Sequence, residues 1–174
     1  MKQLLVITES DVAPGAESAD CTNFKRRDAA RAVLLDKNGG VFLLKIGKHD
    51  CHKLPGGGVD DGEDMKAALA RELLEEVGCK AEILDEVGEI IEYRDQFELI
   101  QTSHCYLARQ TGEQVEASLE EGEIEEGLHE VKASSIDEAI SLLENDEPDN
   151  YECRLIKIRD TALLKKAKEI MVQK

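Results

Sequence analysis

A chain of 174 residues, 41% apolar and 34% charged, has room for one domain with an ordinary core. Its 38 acidic against 22 basic residues give a formal charge of -16, which opposes binding to a nucleic-acid duplex, since phosphate neutralisation supplies most of that affinity. No stretch approaches the roughly 20 apolar residues of a membrane-spanning helix, and Glu9, Ser10 and Asp11 cut short the apolar start, so neither a membrane partner nor a secretory signal is expected.

Residues 4–8 read as a short strand and 13–17 as a loop, which makes 1–25 a leader ahead of a main domain at 26–174. A second strand spans 26–35, a hairpin signal follows at Asp36-Lys37-Asn38-Gly39-Gly40, and 41–44 returns as its partner. Polar residues 47–53 read as a solvated loop. His49, Asp50, Cys51 and His52 in it lack the second ligand pair of a structural zinc site, although His52 lies close enough to the glycines to border a site. Cys21, Cys51, Cys79, Cys105 and Cys153 are odd in number, widely spaced and without a C-x-x-C pair. That pattern argues against a disulfide framework and for reduced thiols in a cytoplasmic protein.

The centre of the chain is Leu54-Pro55-Gly56-Gly57-Gly58, leading into a helix over 64–77. Residues three and four apart share a helical face, so Glu72, Glu75 and Glu76 form one flank while Leu69, Leu73 and Val77 form the next. Gly78 suits a left-handed C-terminal cap, and Asp61, Glu63 and Asp64 suit the positive end of the helix dipole. Clustered glutamates repel unless a cation sits among them, and hard oxygen donors select Mg2+, Mn2+ or Ca2+. A merely solvated acidic face is the plainer alternative.

Beyond the helix, 81–91 reads as a strand pair or as one long strand interrupted at Gly88, and 97–108 as a strong strand whose His104 fits a hydrogen-bonded structural role. The acidic segment 112–130 reads mostly as solvated loop before a strand at 128–131. Ser135 and Glu138 make a capping box for a helix through Leu143, residues 145–150 break it, and 151–171 carry the helical pattern Leu155, Ile158, Ala162, Leu163, Ala167 and Ile170.

Gly57, five residues, Glu63, seven residues, Arg71-Glu72-Leu73, one residue, Glu75-Glu76, one residue and Gly78-Cys79 together place nine positions across 23 residues. This pattern resembles the Nudix box, with Cys79 where the family has an aliphatic residue. The resemblance implies a Nudix-type α/β/α sandwich with a mixed β-sheet and hydrolysis of a nucleoside diphosphate linked to a further moiety by water attack on phosphorus. It also implies Mg2+ or Mn2+ held by Glu72, Glu75, Glu76 and the Gly56 carbonyl, with one of the glutamates as general base; which one varies within the family, and Glu72 is the one chosen. Glu126, from the acidic segment, is the further carboxylate implied for the metal cluster, and Glu63 and Arg71 are implied to support the loop against the helix.

Gly57 and Gly58 would let backbone approach the phosphates, and Lys45 and Lys53 are the cations chosen for phosphate contact from Arg26, Arg27, Arg31, Lys45, Lys48 and Lys53. Base stacking is left to Phe24, Tyr93, Phe97, Tyr106 or Tyr151. The expected partner is a small nucleotide-like substrate such as a nucleoside triphosphate or ADP-ribose, and a homodimer is the commonest soluble assembly. A ligand sensor of the same fold without turnover, and an interaction protein using its acidic segment, remain as readings from other classes. The intact box favours the enzyme.

Overall fold

Strand β2 (Lys25–Leu35) shows how the layers arise in the computed structural model, which describes residues 1–173. Side chains alternate across a strand. Val33 and Leu35 face one apolar cluster, with Leu143, Leu155 and Leu163, while Ala30, Ala32 and Leu34 face another, with Leu69, Leu73 and Val77. Strand β3 (Val41–Ile46) divides in the same way, Val41 and Leu43 to one side and Phe42 and Leu44 to the other. A sheet apolar on both faces needs a helical layer on each.

The chain order is β1 (Gln3–Ile7), α1 (Glu9–Val12), β2, β3, β4 (Cys51–Lys53), β5 (Gly56–Gly58), α2 (Met65–Val77), β6 (Lys80–Arg94), β7 (Leu99–Thr111), α3 (Glu121–Glu125), β8 (Leu128–Ala133), α4 (Ile136–Asn145) and α5 (Tyr151–Val172). The sheet runs β1-β6-β7-β2-β3-β4, with β5 added to β2 and β8 to β3. It is mixed, because β1 lies parallel to β6 and β2 parallel to β7 while the other pairs are antiparallel. Helix α2 covers one face and α4 with α5 the other, giving the expected α/β/α sandwich.

The leader at 1–25 is built into this sandwich: β1 extends the sheet edge beside β6, and Ile7 is fully buried. Gly88 interrupts one long strand, since β6 is continuous with register shifts at Ile83/Asp85 and Glu86/Gly88. Only half of the capping box forms at Ser135. Its side chain accepts the Glu138 N–H at 3.1 Å, but the Glu138 carboxylate turns back to the Ser134 N–H at 2.6 Å.

Two expectations are corrected. Residues 51–53 are not loop but β4, paired with β3, and Cys51 and His52 are buried. Cys51 is joined to Cys153 at the start of α5 by a disulfide with a Cα–Cα distance of 6.2 Å, leaving Cys21, Cys79 and Cys105 free. The two sulfurs are 102 residues apart, and such a pairing depends on tertiary proximity that spacing does not reveal. The argument from five reduced thiols to a cytoplasmic compartment falls with it. Among the described residues no helix is long and apolar enough to cross a membrane.

Candidate active site

Helix α2 is defined at both ends by its own sequence. The Asp64 carboxylate accepts the N–H groups of Lys66 at 2.9 Å and Ala67 at 3.1 Å, and Gly78 turns the chain left-handed at φ 66°. One flank is buried through Leu69, Leu73 and Val77, which leaves Glu72, Glu75 and Glu76 on the flank beside the glycine strand β5.

That strand lies against β2, with Gly56 opposite Arg31 and Gly57 opposite Ala30. At Gly56 glycine is required, since its φ is 126° and a Cβ would stand 2.1 Å from the Ala30 carbonyl oxygen, while a Cβ on Gly57 would stand 2.5 Å from the Glu72 carboxylate and push that side chain aside. Glu76 fastens loop to helix, accepting the Gly56 N–H at 2.6 Å and the Lys53 ammonium at 2.7 Å while only 3% exposed. Arg71 does the same one turn earlier. Its guanidinium forks onto Glu63 at 3.1 and 3.0 Å, reaches Glu72 at 2.8 Å and Glu75 at 3.1 Å, and donates to the Gly58 carbonyl at 3.0 Å. The hydrogen bond to Glu63 in particular holds Arg71 charged.

The acidic segment is strapped to this helix rather than wholly released to solvent. The N–H groups of Val115 and Ser118 bond the carbonyls of Gly78 and Glu75 at 2.9 and 2.7 Å, and the Gln114 amide bonds that of Val77 at 2.8 Å. These donors occupy carbonyls that a helix C-terminus leaves unpaired. The strap carries Glu120, Glu123 and Glu126 into one cleft of about 230 Å3 with Glu72, Glu75 and Glu76. Glu126, the carboxylate that the resemblance implied, lines this cleft, and Glu120 and Glu123 line it too.

Opposite the carboxylates stands a basic wall that sequence reasoning largely missed: Arg27 and Arg31 from β2, Arg94 from β6 and Arg159 from α5. Arg159 is fully buried in a helix whose pattern reads as an ordinary apolar stripe. It pairs with Asp160 at 2.6 and 3.1 Å and with Glu92 at 3.3 Å, and Glu92 also takes Arg94 at 3.0 Å. Burial alone would push the Glu92 carboxyl up, but Arg159, Arg94 and Arg31 outweigh it and hold it down at about 2. Asp160 also accepts the Leu54 N–H at 2.8 Å, so α5 positions the chain just before the glycines. Burial, with Arg159 adding to it, pulls Arg31 down to about 10.

Several expected site residues lie elsewhere. Lys45 is paired with Asp50 at 2.5 Å on the other side of β4, outside the cleft, because alternation along β3 turns it away from the glycines. Lys53 does line the cleft. His52 does not border it: its N–H and Nδ1 are both held by Asp146, at 2.7 and 2.8 Å. His104 is bound between Asp28 and Glu89. None of Phe24, Tyr93, Phe97, Tyr106 and Tyr151 is among the residues lining the cleft, and Tyr151 instead donates to Glu9 at 2.6 Å. The apolar surfaces there are Ile46 and Ile156.

The donor set suits a hard divalent cation in kind. Glu72, Glu75 and Glu76 share the cleft with Glu120, Glu123 and Glu126, and ionised carboxylates crowded together need a proton or a cation among them. Burial, reinforced by the Glu76 charge, raises the carboxyls of both Glu72 and Glu123. Among the described residues no three His, Cys, Asp or Glu side chains stand ready in metal-ligand geometry. Lys53 and Arg71 hold carboxylate oxygens, and the Gly56 carbonyl accepts Arg31 at 2.9 Å.

Comparison with known proteins gives this arrangement its family. The family model described as the NUDIX domain matches residues 25–154. An RNA pyrophosphohydrolase of Wolbachia sp. subsp. Brugia malayi (strain TRS) is 40% identical over 91 residues, covering 51% of this chain and 55% of that protein. One from Erythrobacter litoralis (strain HTCC2594) is 32% identical over 111 residues, 55% of this chain and 68% of that protein. The alignment thus spans about half the length of the first of these relatives. Among solved structures, a NUDIX hydrolase from Nitrosomonas europaea superimposes with a TM-score of 0.57 at 16% identity, covering 78% of this chain and 89% of that one. A MutT protein from Methanosarcina mazei Go1 gives 0.55 at 18% identity, covering 79% and 94%. At such identities the likeness is one of fold. With the family model matched over most of the chain and the box helix seated against its glycine strand, the chain belongs to the Nudix family.

Proposed function

We propose that the chain hydrolyses the pyrophosphate linkage of a nucleotide-like substrate and requires Mg2+ or Mn2+. The observation that carries this reading is the convergence of Glu72, Glu75 and Glu76 with Glu120, Glu123 and Glu126 around the glycine strand in one cleft. So many carboxylates in a small space suit oxygen coordination and little else. Membership in the Nudix family supports the hydrolytic class.

Glu72, Glu75 and Glu76 would hold the metal, with Glu123 or Glu126 completing the set. A bound divalent ion would neutralise phosphate oxygens and lower the pKa of water. Glu72 accepts the proton of the attacking water at its carboxylate, which Arg71 and the close backbone of Gly57 keep in place. The bare backbone of Gly57 and Gly58 admits the phosphates, and Lys53, released from Glu76, binds one of their oxygens. Arg71 and Glu63 keep helix and loop in register.

Relatives named as RNA pyrophosphohydrolases favour including a phosphorylated RNA 5′ end among the substrates, a single-stranded end being a smaller electrostatic demand on an acidic protein than a duplex. The test is turnover of a nucleoside triphosphate, ADP-ribose, a dinucleoside polyphosphate and a 5′-triphosphorylated oligoribonucleotide, each with Mg2+, Mn2+ or chelator, with phosphate, pyrophosphate and nucleoside monophosphate measured separately. Metal-dependent cleavage of at least one is expected. Turnover undiminished by chelation overturns the metal requirement, and binding without cleavage of any compound supports a ligand sensor.

A further inference from the structure

Outside the cleft, α2, β6 and β7 leave an apolar groove of about 450 Å3 floored by Leu69, Leu73, Leu74, Ala81 and Ile83. Leu74 and Ile83 are 42% and 37% exposed, large apolar side chains left side by side in water. The chain has 38 acidic and 22 basic residues, yet among the described residues this groove is lined by three cations, Lys66, Arg71 and Lys80, and by no carboxylate. Arg71 is engaged by Glu63, Glu72 and Glu75, whereas the ammoniums of Lys66 and Lys80 enter no ion pair among the described residues. An apolar floor with a free cationic rim suits an apolar segment that carries carboxylates.

A segment of that chemistry crosses the end of the same helix. Residues 113–118 are exposed throughout, with Val115 at 57%. Glu113 meets only the exposed Lys37, and the Glu116 carboxylate has no partner among the described residues. The bonds of Gln114, Val115 and Ser118 to the carbonyls of Val77, Gly78 and Glu75 hold this strap on the last turn of α2, and none of its residues lines the groove of its own chain. Groove and strap therefore lie on one helix with opposite charge. A two-fold axis turns such a pair of patches into a self-complementary contact.

We propose that this face joins two copies of the chain about a two-fold axis, each laying its 113–118 strap into the groove of the other, with Val115 on the apolar floor and Glu116 between Lys66 and Lys80. In physiological salt the Debye length is about 8 Å, so the repulsion between two acidic chains is screened while charges in contact across the groove still pair. A copy seated on the strap also braces the segment that carries Glu120, Glu123 and Glu126 into the cleft.

Sedimentation velocity of the full chain over a concentration series tests the pairing. The wild type is expected to pass from monomer to dimer. Leu74→Glu, which puts a charge on the groove floor, should weaken the dimer by about 100-fold, whereas Val172→Glu, at an exposed aliphatic residue on the last helix, should leave it unchanged. Reversing the groove, with Lys66→Glu and Lys80→Glu together, or the strap, with Glu113→Lys and Glu116→Lys together, should each weaken self-association by about tenfold or more. Mixed one to one, the two reversed variants should restore the dimer, because each groove then meets a strap of opposite sign.

A wild type that stays monomeric at every concentration overturns the pairing. A dimer that Leu74→Glu leaves intact overturns it too, by placing the contact on another face. Strap reversal separates local pairing from net charge, since it makes the chain less acidic: tighter association of that variant, or a mixture that stays monomeric, overturns the proposal in favour of general repulsion. Every substituted side chain is exposed, so the variants should fold, and unchanged thermal midpoints in dilute solution verify this. Association is read without turnover, so its outcome is independent of the hydrolase reading.

Discussion

On one side of the cleft, Glu72, Glu75 and Glu76 come from neighbouring turns of a single helix. On the other, Arg27, Arg31, Arg94 and Arg159 are delivered by two strands and the last helix. The acidic wall follows from helical periodicity, so its members meet wherever the helix forms. The basic wall exists only once β2, β6 and α5 have docked, and three of its four charges, on Arg31, Arg94 and Arg159, are buried, whereas of the three box glutamates only Glu76 is. The two walls should therefore fail differently. Damage to the acidic wall should act on rate with moderate effects on stability, whereas damage to the buried brace of the basic wall should act on stability first.

The strongest way to break this contrast is Asp160→Ala, which leaves Arg159 buried without its closest carboxylate and frees the Leu54 N–H. A loss of about 3–5 kcal/mol is expected in urea unfolding at neutral pH, the usual cost of leaving a buried charge unpaired. Glu75→Gln, on the wetter wall, should change stability by less than about 0.5 kcal/mol. Equal effects would erase the distinction.

Acid unfolding sharpens it. The Glu92 carboxyl is held at about 2, below its ordinary 4.5, so its stabilising contribution is present above about 4.5 and is lost as pH falls toward 2. The difference corresponds to about 3 kcal/mol. Stability measured between pH 5 and 2 should fall more steeply for the wild type than for Glu92→Gln. Parallel curves would show that this group is not the acid-sensitive one.

Glu76→Gln probes the acidic wall. Loss of an anionic ligand should lower kcat by about 100-fold or more, a barrier increase of about 2.7 kcal/mol, and shrink the thermal stabilisation produced by Mg2+. In the metal-free state sequence reasoning expects relief of repulsion among three glutamates. The fold reverses that expectation, because Glu76 is buried against the Lys53 ammonium and the Gly56 N–H, and its neutral replacement should cost about 1–2 kcal/mol. A variant equal to wild type in rate and metal response would refute the assignment.

The last prediction concerns the disulfide that ties β4 to α5. Thiol labelling in denaturant should find three cysteines without reductant and five with it, and reduction should lower stability by about 2 kcal/mol. Five labelled cysteines without reductant would remove the bond from Cys51 to Cys153.

The glycine strand, the box helix with both its caps, the hairpin after β2 and the terminal helix were all legible from the chain, since each rests on contacts among near neighbours: a side-chain oxygen on the next turn's amides, a left-handed glycine, apolar residues recurring on one face. Alternation along β2 also showed that only some of its arginines could share a face. Lys45 was misplaced because period-2 alternation gives two faces without saying which one meets the glycines. Arg159 and Asp160 were invisible because a buried ion pair in a helix has the same spacing as a solvated one, and only docking against Glu92 and Leu54 removes it from water. Glu120, Glu123 and Glu126 all reach the cleft because a strap of N–H groups on the end of α2 sets where the acidic segment lies. By itself the sequence determined that Glu72, Glu75 and Glu76 share one helix flank, which is local. Which cations face it, and whether Cys51 and Cys153 are free, was decided by tertiary structure, because both depend on distances between residues that the chain holds far apart.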